Sequence, residues 1–210
     1  MRLIAAIAVC LVYMTALPGT VLAADSLDVP YLSQFWKESP SNGNCAPAAM
    51  EMCAAYVQGR QPTVDNIIAL NKLMGKANPI KGGPTKHREI MEAGKKLYNL
   101  PIEYKHMTLD EALKEVAAGG PVMAGIIYRH ISNRWDQHCT GGHMLVIVGS
   151  DEKSVIVNDP DEKRDGKGKD MRYDRAEFAK AFEDFGNAVL VGFRKPPPSL
   201  HNVPDTRPAP

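Results

Sequence analysis

Hydrophobic and polar residues follow two different spacings along this chain. Apolar residues at helical spacing predict three helices in the first half, at residues 46–57, 64–74 and 86–98. Thr63 and Thr85 stand where the second and third of these helices need N-cap side chains. The second half contains short, β-branched apolar runs, which predict strands at residues 102–106, 121–128, 144–148, 155–157 and 188–193.

Two further helices are predicted from their start signals. Thr108 with Glu111 forms a capping box before a helix that runs to residue 118, and Asp174 with Glu177 marks the start of one that runs to residue 182. After the strand at 155–157 we expect a basic, glycine-containing loop at residues 163–169. Because most helices precede most strands, the order favours an α+β fold, with an N-terminal helical part packed on an antiparallel sheet.

Composition excludes several classes of protein. The chain has 210 residues, of which 44% are apolar and 23% are charged, so it can bury one substantial core and does not have the composition of a disordered protein. The formal net charge is only +1, with acidic and basic residues interleaved. We therefore expect no electrostatic binding to nucleic acid or anionic lipid.

Both ends of the chain differ from the domain between them. Arg2, an apolar run at residues 3–17, the helix-breaking pair Pro18-Gly19 and small residues up to Ala23 predict a signal peptide at residues 1–23. An uncleaved membrane anchor is the alternative, and no later stretch is apolar enough to span a bilayer. The proline-rich segment 196–210 predicts an extended or disordered tail. We expect a domain at residues 24–195 of an exported protein, periplasmic or secreted, without stable membrane insertion.

The cysteine count is informative in such a compartment. Cys10 lies in the predicted signal peptide, which leaves Cys45, Cys53 and Cys139. An odd number of cysteines excludes a framework in which every thiol is paired. At least one thiol is free or bonded to another molecule, and a single bridge between Cys53 and Cys139 stays open.

Cys45 stands at the start of the first predicted helix. Unpaired N–H groups and the helix dipole stabilise a negative charge there, which favours the reactive thiolate form. A cysteine among alanines is, taken alone, more often a small core residue. Cys53, which lies in the middle of the same helix between Met52 and Ala54, fits that description better.

A base and a carboxylate are predicted to meet at the ends of one hairpin. A turn centred near Asp151 and Glu152 places Asp159 opposite Met144 and beside His143. Alone, such a histidine is more often a half-buried edge residue, and Asn-Asp-Pro more often a turn. Together with Cys45, the pair has the elements of a triad in which a carboxylate orients the imidazole that serves a nucleophile.

Four short motifs carry a family resemblance. They read VPYLSQ at residues 29–34, NCAPA at 44–48, GHM at 142–144 and NDP at 158–160. In this order they resemble bacterial cysteine peptidases similar to the double-glycine bacteriocin-leader peptidases, a branch of the papain-like fold, over roughly residues 28–193. The resemblance implies a peptide or protein substrate and a catalytic cysteine, histidine and aspartate at Cys45, His143 and Asp159. It also implies that Gln34 helps to form the oxyanion hole.

Other classes of function were weighed against a peptidase. His138, Cys139 and His143 are crowded residue types for zinc, but their spacing matches no strong zinc pattern, and we expect no metal or cofactor. A papain-like binding or effector module without turnover is a second class. An acyl transferase or deamidase using the same thioester chemistry is a third. The sequence does not fix the cleavage specificity or the oligomeric state.

Overall fold

The computed structural model describes residues 26–39, 43–162 and 167–196. The predicted signal peptide lies outside these ranges, as do residues 163–166 of the basic loop and residues 197–210 of the predicted tail. Within the described part of the chain, no helix combines the length and apolarity that crossing a membrane requires.

Five helices, one short 3₁₀ turn and six strands make up the described residues. The helices are α1 Cys45–Gln58, α2 Val64–Leu73, α3 His87–Tyr98, α4 Leu109–Ala117 and α5 Arg175–Asp184, and the 3₁₀ turn is Tyr128–His130. The strands are β1 Glu103–His106, β2 Val122–Ile127, β3 Gly142–Ser150, β4 Ser154–Asn158, β5 Met171–Asp174 and β6 Ala188–Val191. The five predicted helices and the five predicted strands are therefore present.

The strands form one antiparallel sheet in the order β1-β6-β2-β3-β4-β5. Side chains alternate across it: Met144, Val146 and Val148 face the core shared with α1, α2 and α3, whereas Leu145 and Ile147 face the core shared with α4 and α5. Helices cover both faces of the sheet, which is why residues 144–148 of β3 are all apolar. The predicted α+β fold, with the N-terminal helices packed on an antiparallel sheet, is confirmed.

Three of the four predicted N-caps, at Thr63, Thr108 and Asp174, are confirmed, and the fourth is wrong. Thr63 accepts a hydrogen bond from the N–H of Asn66, and Thr108 forms the expected capping box with Glu111. Thr85 does not cap α3, because its hydroxyl donates to the carbonyl of Gly83 within the preceding loop. The N-cap is the next residue, Lys86, whose backbone N–H donates a hydrogen bond to the Glu89 carboxylate at 3.3 Å.

The sequence analysis predicted no strand between the basic loop and Asp174, where β5 lies. Its four residues include only one buried side chain, Tyr173, beside the exposed Arg172 and Asp174, so no apolar run marks it as a strand. Asp174 ends β5 and also begins α5, where its carboxylate accepts the N–H groups of Ala176 and Glu177. The strand matters because it carries Tyr173 to the centre of the molecule.

The predicted pairing of Asp159 with Met144 was wrong by one residue. The turn lies further along than predicted, because the N–H of Asp151 bonds the carbonyl of Ser154 and its carboxylate accepts the N–H of Ser154. A β-bulge between Ile147 and Gly149 reduces this shift in the register of β3 and β4. Asp159 follows the last residue of β4, so the alternation of side chains between the two faces of the sheet does not fix the direction of its side chain.

A buried carboxylate ties the three N-terminal helices together. Glu51 of α1 is fully buried and accepts hydrogen bonds from Arg60 at 2.6 and 2.9 Å, from Tyr98 at 2.7 Å and from the N–H of Thr63 at 2.8 Å. The N-terminus of α2 and the C-terminus of α3 are thus bonded to the middle of α1. This network fixes the helix on which Cys45 lies.

We expect Glu51→Ala to lower the free energy of unfolding by about 3 kcal/mol or more, because it leaves Arg60 and Tyr98 without their shared acceptor. Urea unfolding followed by far-UV circular dichroism measures the change. Glu92→Ala is the control, since Glu92 lies 67% exposed in α3 against Lys95, and should change stability by less than about 0.5 kcal/mol. Equal losses in the two variants would contradict the structural role of the network.

Candidate active site

Cys45 is the first residue of α1 and is partly exposed. Asn44 occupies the N-cap position, yet its side chain makes no capping hydrogen bond. Pro47 follows two residues later and has no N–H to satisfy. The positive end of the helix dipole is therefore directed at Cys45 and is not blocked by the N-cap side chain.

The side chain of Asn44 instead joins three neighbouring segments. Its amide donates to Ser39 at 3.1 Å and to the carbonyl of Ile80 at 2.9 Å, while its oxygen accepts from Asn71 at 2.7 Å. Asn44 and Asn71 are both fully buried. This network holds the loop before α3 against the start of α1.

His143 lies near the beginning of β3 and is 4% exposed. Its Nε2 lies 2.7 Å from Oδ1 of Asp159, which is fully buried. Cys45 and His143 line the same cleft, and the interaction with Cys45 is one of the causes that raise the pKa of His143. The structure thus brings together the three residues that the sequence analysis selected.

Asp159 accepts hydrogen bonds on both carboxylate oxygens. Oδ2 accepts from the hydroxyls of Tyr128, at 3.0 Å, and Tyr173. Oδ1 accepts from His143 and from the N–H of Asp161 at 2.8 Å. A buried carboxylate with this many donors stays ionised in spite of its burial.

Tyr128 also packs against the histidine. The ring centroids of Tyr128 and His143 are 4.5 Å apart with an interplanar angle of 33°. Tyr128 therefore contacts both members of the pair. Its ring packs against the imidazole of His143, and its hydroxyl donates a hydrogen bond to the carboxylate of Asp159. Tyr128 and Tyr173 are 1% and 0% exposed, so no solvent competes for these bonds.

The electrostatics favour a charged pair. Burial lowers the pKa of His143, but the charge of Asp159 and the hydrogen bonds to Asp159 and Cys45 raise it, and the pKa lies well above its ordinary value. Burial raises the pKa of Asp159, but the charge of His143 and the bonds from His143, Tyr173 and Asp161 bring it below its ordinary value. Burial and the Asp159 carboxylate raise the pKa of both tyrosines, which stay protonated as donors.

Gln34, the predicted oxyanion residue, is attached to the turn that follows Asp159. Its backbone N–H donates to the carbonyl of Pro160 at 2.9 Å, and its side-chain Nε2 donates to Oδ1 of Asp161. Gln34 is 1% exposed and its Oε1 has no hydrogen-bond partner among the described residues. Hydrogen bonds thus connect Gln34 through Asp161 and Asp159 to His143, which lines the cleft with Cys45.

A cleft of about 410 Å³ contains the side chains of Cys45 and His143. Residues 45–46 and 83–85 line it together with Gly43, and residues 142–144 and Phe185 complete it. The N–H of Gly83 donates to the carbonyl of Gly43 at 3.0 Å. A Cβ atom on Gly43 would lie 2.2 Å from the carbonyl oxygen of Lys81, so this close approach of two loops requires glycine. Gln34 is not among the described residues that line the cleft.

The remaining cysteines form no disulfide bridge. Cys45, Cys53 and Cys139 are all free thiols, so the bridge left open between Cys53 and Cys139 is not formed. Among the described residues, no group of three or more histidine, cysteine or acidic side chains is arranged to hold a metal ion. On the loop before β3, His138 is exposed and Cys139 is half-buried.

The family described as "Peptidase_C39 like family" matches residues 26–190. This span includes every residue of the site. The chain belongs to the Peptidase_C39 like family. No curated protein sequence is similar enough to this chain to count as a match.

Solved structures of C39 peptidases share the fold at low identity. A protein described as a C39-like peptidase from Bacillus anthracis is 17% identical, with a TM-score of 0.56 over 78% of this chain and 94% of that one. The peptidase domain of Streptococcus ComA, a bifunctional ABC transporter of a quorum-sensing pathway, is 18% identical, with a TM-score of 0.54 over 78% and 98%. A double-glycine motif protease from an AMS/PCAT transporter, solved with its leader peptide, is 17% identical, with a TM-score of 0.51 over 80% and 92%.

Sequence reasoning missed several residues of the C39-like site. Tyr128 was not selected because a tyrosine at the end of a predicted strand ordinarily indicates packing, and Tyr173 was not selected because no strand is predicted at its position. Asp161 was not selected because it follows the Asn-Asp-Pro motif in a turn, where aspartate is common. Asn44 has the appearance of a helix cap, a role that its side chain does not perform.

Tyr173→Phe tests whether the tyrosines stabilise the ionised Asp159. Removing one donor should lower the free energy of unfolding by about 1–2 kcal/mol near neutral pH. The bond from Tyr173 lowers the pKa of Asp159, and a depressed pKa adds stability that is lost as pH falls through the folded-state pKa. The loss caused by the substitution should therefore stay constant from about pH 7 to about pH 5 and shrink as the pH falls below about 4 in urea unfolding experiments.

Tyr104→Phe is the matched control for this measurement. The Tyr104 hydroxyl bonds the exposed His106 at 3.0 Å, away from Asp159. Its removal should change stability by less than about 0.5 kcal/mol. A pH-independent loss in Tyr173→Phe would show that the hydroxyl does not act through the charge of Asp159.

Proposed function

We propose that this member of the C39-like family is an exported cysteine peptidase that hydrolyses peptide bonds. The observation that carries the proposal is that Cys45 and His143 line one cleft and that His143 is bonded to the buried Asp159, with the histidine pKa raised and the aspartate pKa lowered. Cys45 is the nucleophile, His143 the general base and acid, and Asp159 the residue that orients the imidazole. Membership of the family supports the reaction class.

The charge pattern explains how the thiol is activated. An imidazolium held by the buried Asp159 favours a thiolate on Cys45, as does the start of α1. The Sγ thiolate attacks the carbonyl carbon of the substrate, forming a C–S bond. The C–N bond then breaks as His143 gives its proton to the leaving amine.

Hydrolysis of the thioester returns the enzyme to its starting state. His143, now neutral, takes a proton from a water molecule, whose oxygen attacks the acyl carbon. A C–O bond forms, the C–S bond breaks and the product carboxylic acid leaves, with the thiolate and imidazolium restored. Asp159 remains ionised throughout, since its four hydrogen-bond donors are fixed by the fold.

The oxyanion formed in each step needs donors that are already in place. We assign this role to the N–H of Cys45 and the side-chain amide of Gln34. The N-cap side chain does not occupy the start of α1, and Gln34 is attached to the same turn as Asp159. The assignment keeps the residues implied by the family resemblance.

Substrate and location follow from the family and from the N-terminal sequence. The related AMS/PCAT protease was solved with a leader peptide, and we propose a peptide or protein substrate here as well. Arg2, the apolar run at 3–17 and the small residues before Asp25 support export through a signal peptide. The enzyme then acts in the periplasm or outside the cell.

Alkylation by iodoacetamide tests the activated thiolate without a known substrate. We expect Cys45 to react at least about ten times faster than Cys139 at about pH 6, because only thiolates are alkylated. Cys53 and Cys139 are internal controls, since burial raises the pKa of both thiols. Mass spectrometry of peptides from the mature protein identifies the labelled residue.

Two variants separate activation by histidine from simple exposure. His143→Ala should remove the fast reaction of Cys45, while His138→Ala, a change at an exposed histidine of the adjoining loop, should leave it unchanged. Circular dichroism checks that both variants fold. Reaction of Cys45 only near about pH 8.5, or equal rates in His143→Ala and the unmodified protein, would reject the proposed nucleophile.

A further inference from the structure

The turn after β4 contacts two parts of the site at once. The N–H of Asp161 donates to Oδ1 of Asp159 at 2.8 Å, while the Asp161 carboxylate accepts from Nε2 of Gln34. Asp161 is 2% exposed and Gln34 is 1% exposed. A second acidic residue is therefore buried two positions after the one that orients the histidine.

This contact determines how the glutamine amide is oriented. A carboxylate only accepts hydrogen bonds, so the NH₂ end of Gln34 must face Asp161. Oε1 of Gln34 has no partner among the described residues, so the bond to Asp161 is the one that fixes the amide. The backbone N–H of Gln34 is bonded to Pro160 of the same turn.

An amide nitrogen carries two hydrogens, and the bond to Asp161 uses one of them. The second hydrogen of Gln34 is left for another acceptor. An oxyanion is stabilised best by donors whose orientation is fixed before charge develops. A charge-assisted bond to a buried carboxylate is a strong way to fix that orientation.

We propose that Asp161 is the positioning residue of the oxyanion hole. It acts through Gln34, whose side-chain amide it holds so that the second N–H stabilises the tetrahedral oxyanion. The inference rests on the proposed function and extends it to a residue that the triad does not include. Asp161 itself touches no reacting atom.

The proposal separates two reactions of the same thiol. Alkylation by iodoacetamide passes through no oxyanion, so it depends on Cys45 and His143 but not on Gln34. Acylation by p-nitrophenyl acetate does pass through one: the Cys45 thiolate attacks the ester carbonyl carbon, a C–S bond forms, the C–O bond breaks and p-nitrophenolate leaves. Loss of Asp161 should slow acylation and spare alkylation.

The test is a double-mutant cycle on the mature protein with both reagents. Gln34→Ala should slow acylation of Cys45 about 100-fold, the usual effect of removing one oxyanion donor. Asp161→Ala should slow it about 10-fold or more, and the double variant should be no slower than Gln34→Ala alone, since both changes remove one interaction. Alkylation should stay within about 3-fold in every variant.

Asp161→Asn is the conservative control. Its side-chain oxygen accepts the same bond from Gln34, and its backbone N–H still serves Asp159. Acylation by this variant should lie within about 3-fold of the unmodified protein. Recovery by asparagine distinguishes positioning of the amide from a general loss of structure, which would slow alkylation too.

Two sets of results overturn the idea in different ways. If Asp161→Ala acylates at the unmodified rate, or if its effect multiplies with that of Gln34→Ala, Asp161 does not act through the glutamine, and the proposed peptidase chemistry is untouched. If the unmodified protein releases no more p-nitrophenolate than Cys45→Ala, the proposed function fails and the inference falls with it.

Discussion

A carboxylate that is buried away from water needs hydrogen-bond donors on both of its oxygens. The buried carboxylate of Asp159 accepts hydrogen bonds from four donors in different parts of the chain. Tyr128 comes from the end of β2, Tyr173 from β5, His143 from the start of β3, and the N–H of Asp161 from the adjoining turn. Each donor is placed by a different element, so the charge depends on the correct assembly of the sheet. The raised pKa of His143, and with it the proposed role of this histidine, depends in turn on that charge.

The helical side of the molecule supplies the second requirement, an open helix start. Burial of Glu51 fixes α1, because its carboxylate accepts hydrogen bonds from Arg60 and Thr63 between α1 and α2, from Asn66 of α2 and from Tyr98 of α3. Asn44 is then used to hold the loops and not to cap the helix, so the dipole acts on Cys45. One layer of the fold therefore positions Cys45, the proposed nucleophile, and the other positions His143, the proposed base, and both residues line the cleft.

Much of this arrangement follows from sequence patterns, and the rest depends on contacts that patterns do not contain. Cys45 at a helix start and His143 near Asp159 follow from helix signals and from one hairpin, which are local features. The register was wrong by one residue because a turn and a bulge depend on the side chain of Asp151 and on packing near Gly149. Tyr173 was missed with its strand, since β5 has no apolar run and forms only because β4 offers an edge.

The central claim is that His143 is a cation held by Asp159, and an NMR titration of ¹⁵N-labelled histidine measures this directly. The account predicts that the His143 imidazolium persists through neutral pH, well above the ordinary pKa of about 6.5. In Asp159→Asn the same signal should titrate below that value, because burial of the ring then lowers the pKa without an opposing charge. A neutral His143 at about pH 6 in the unmodified protein, or an unchanged titration in Asp159→Asn, would contradict the account.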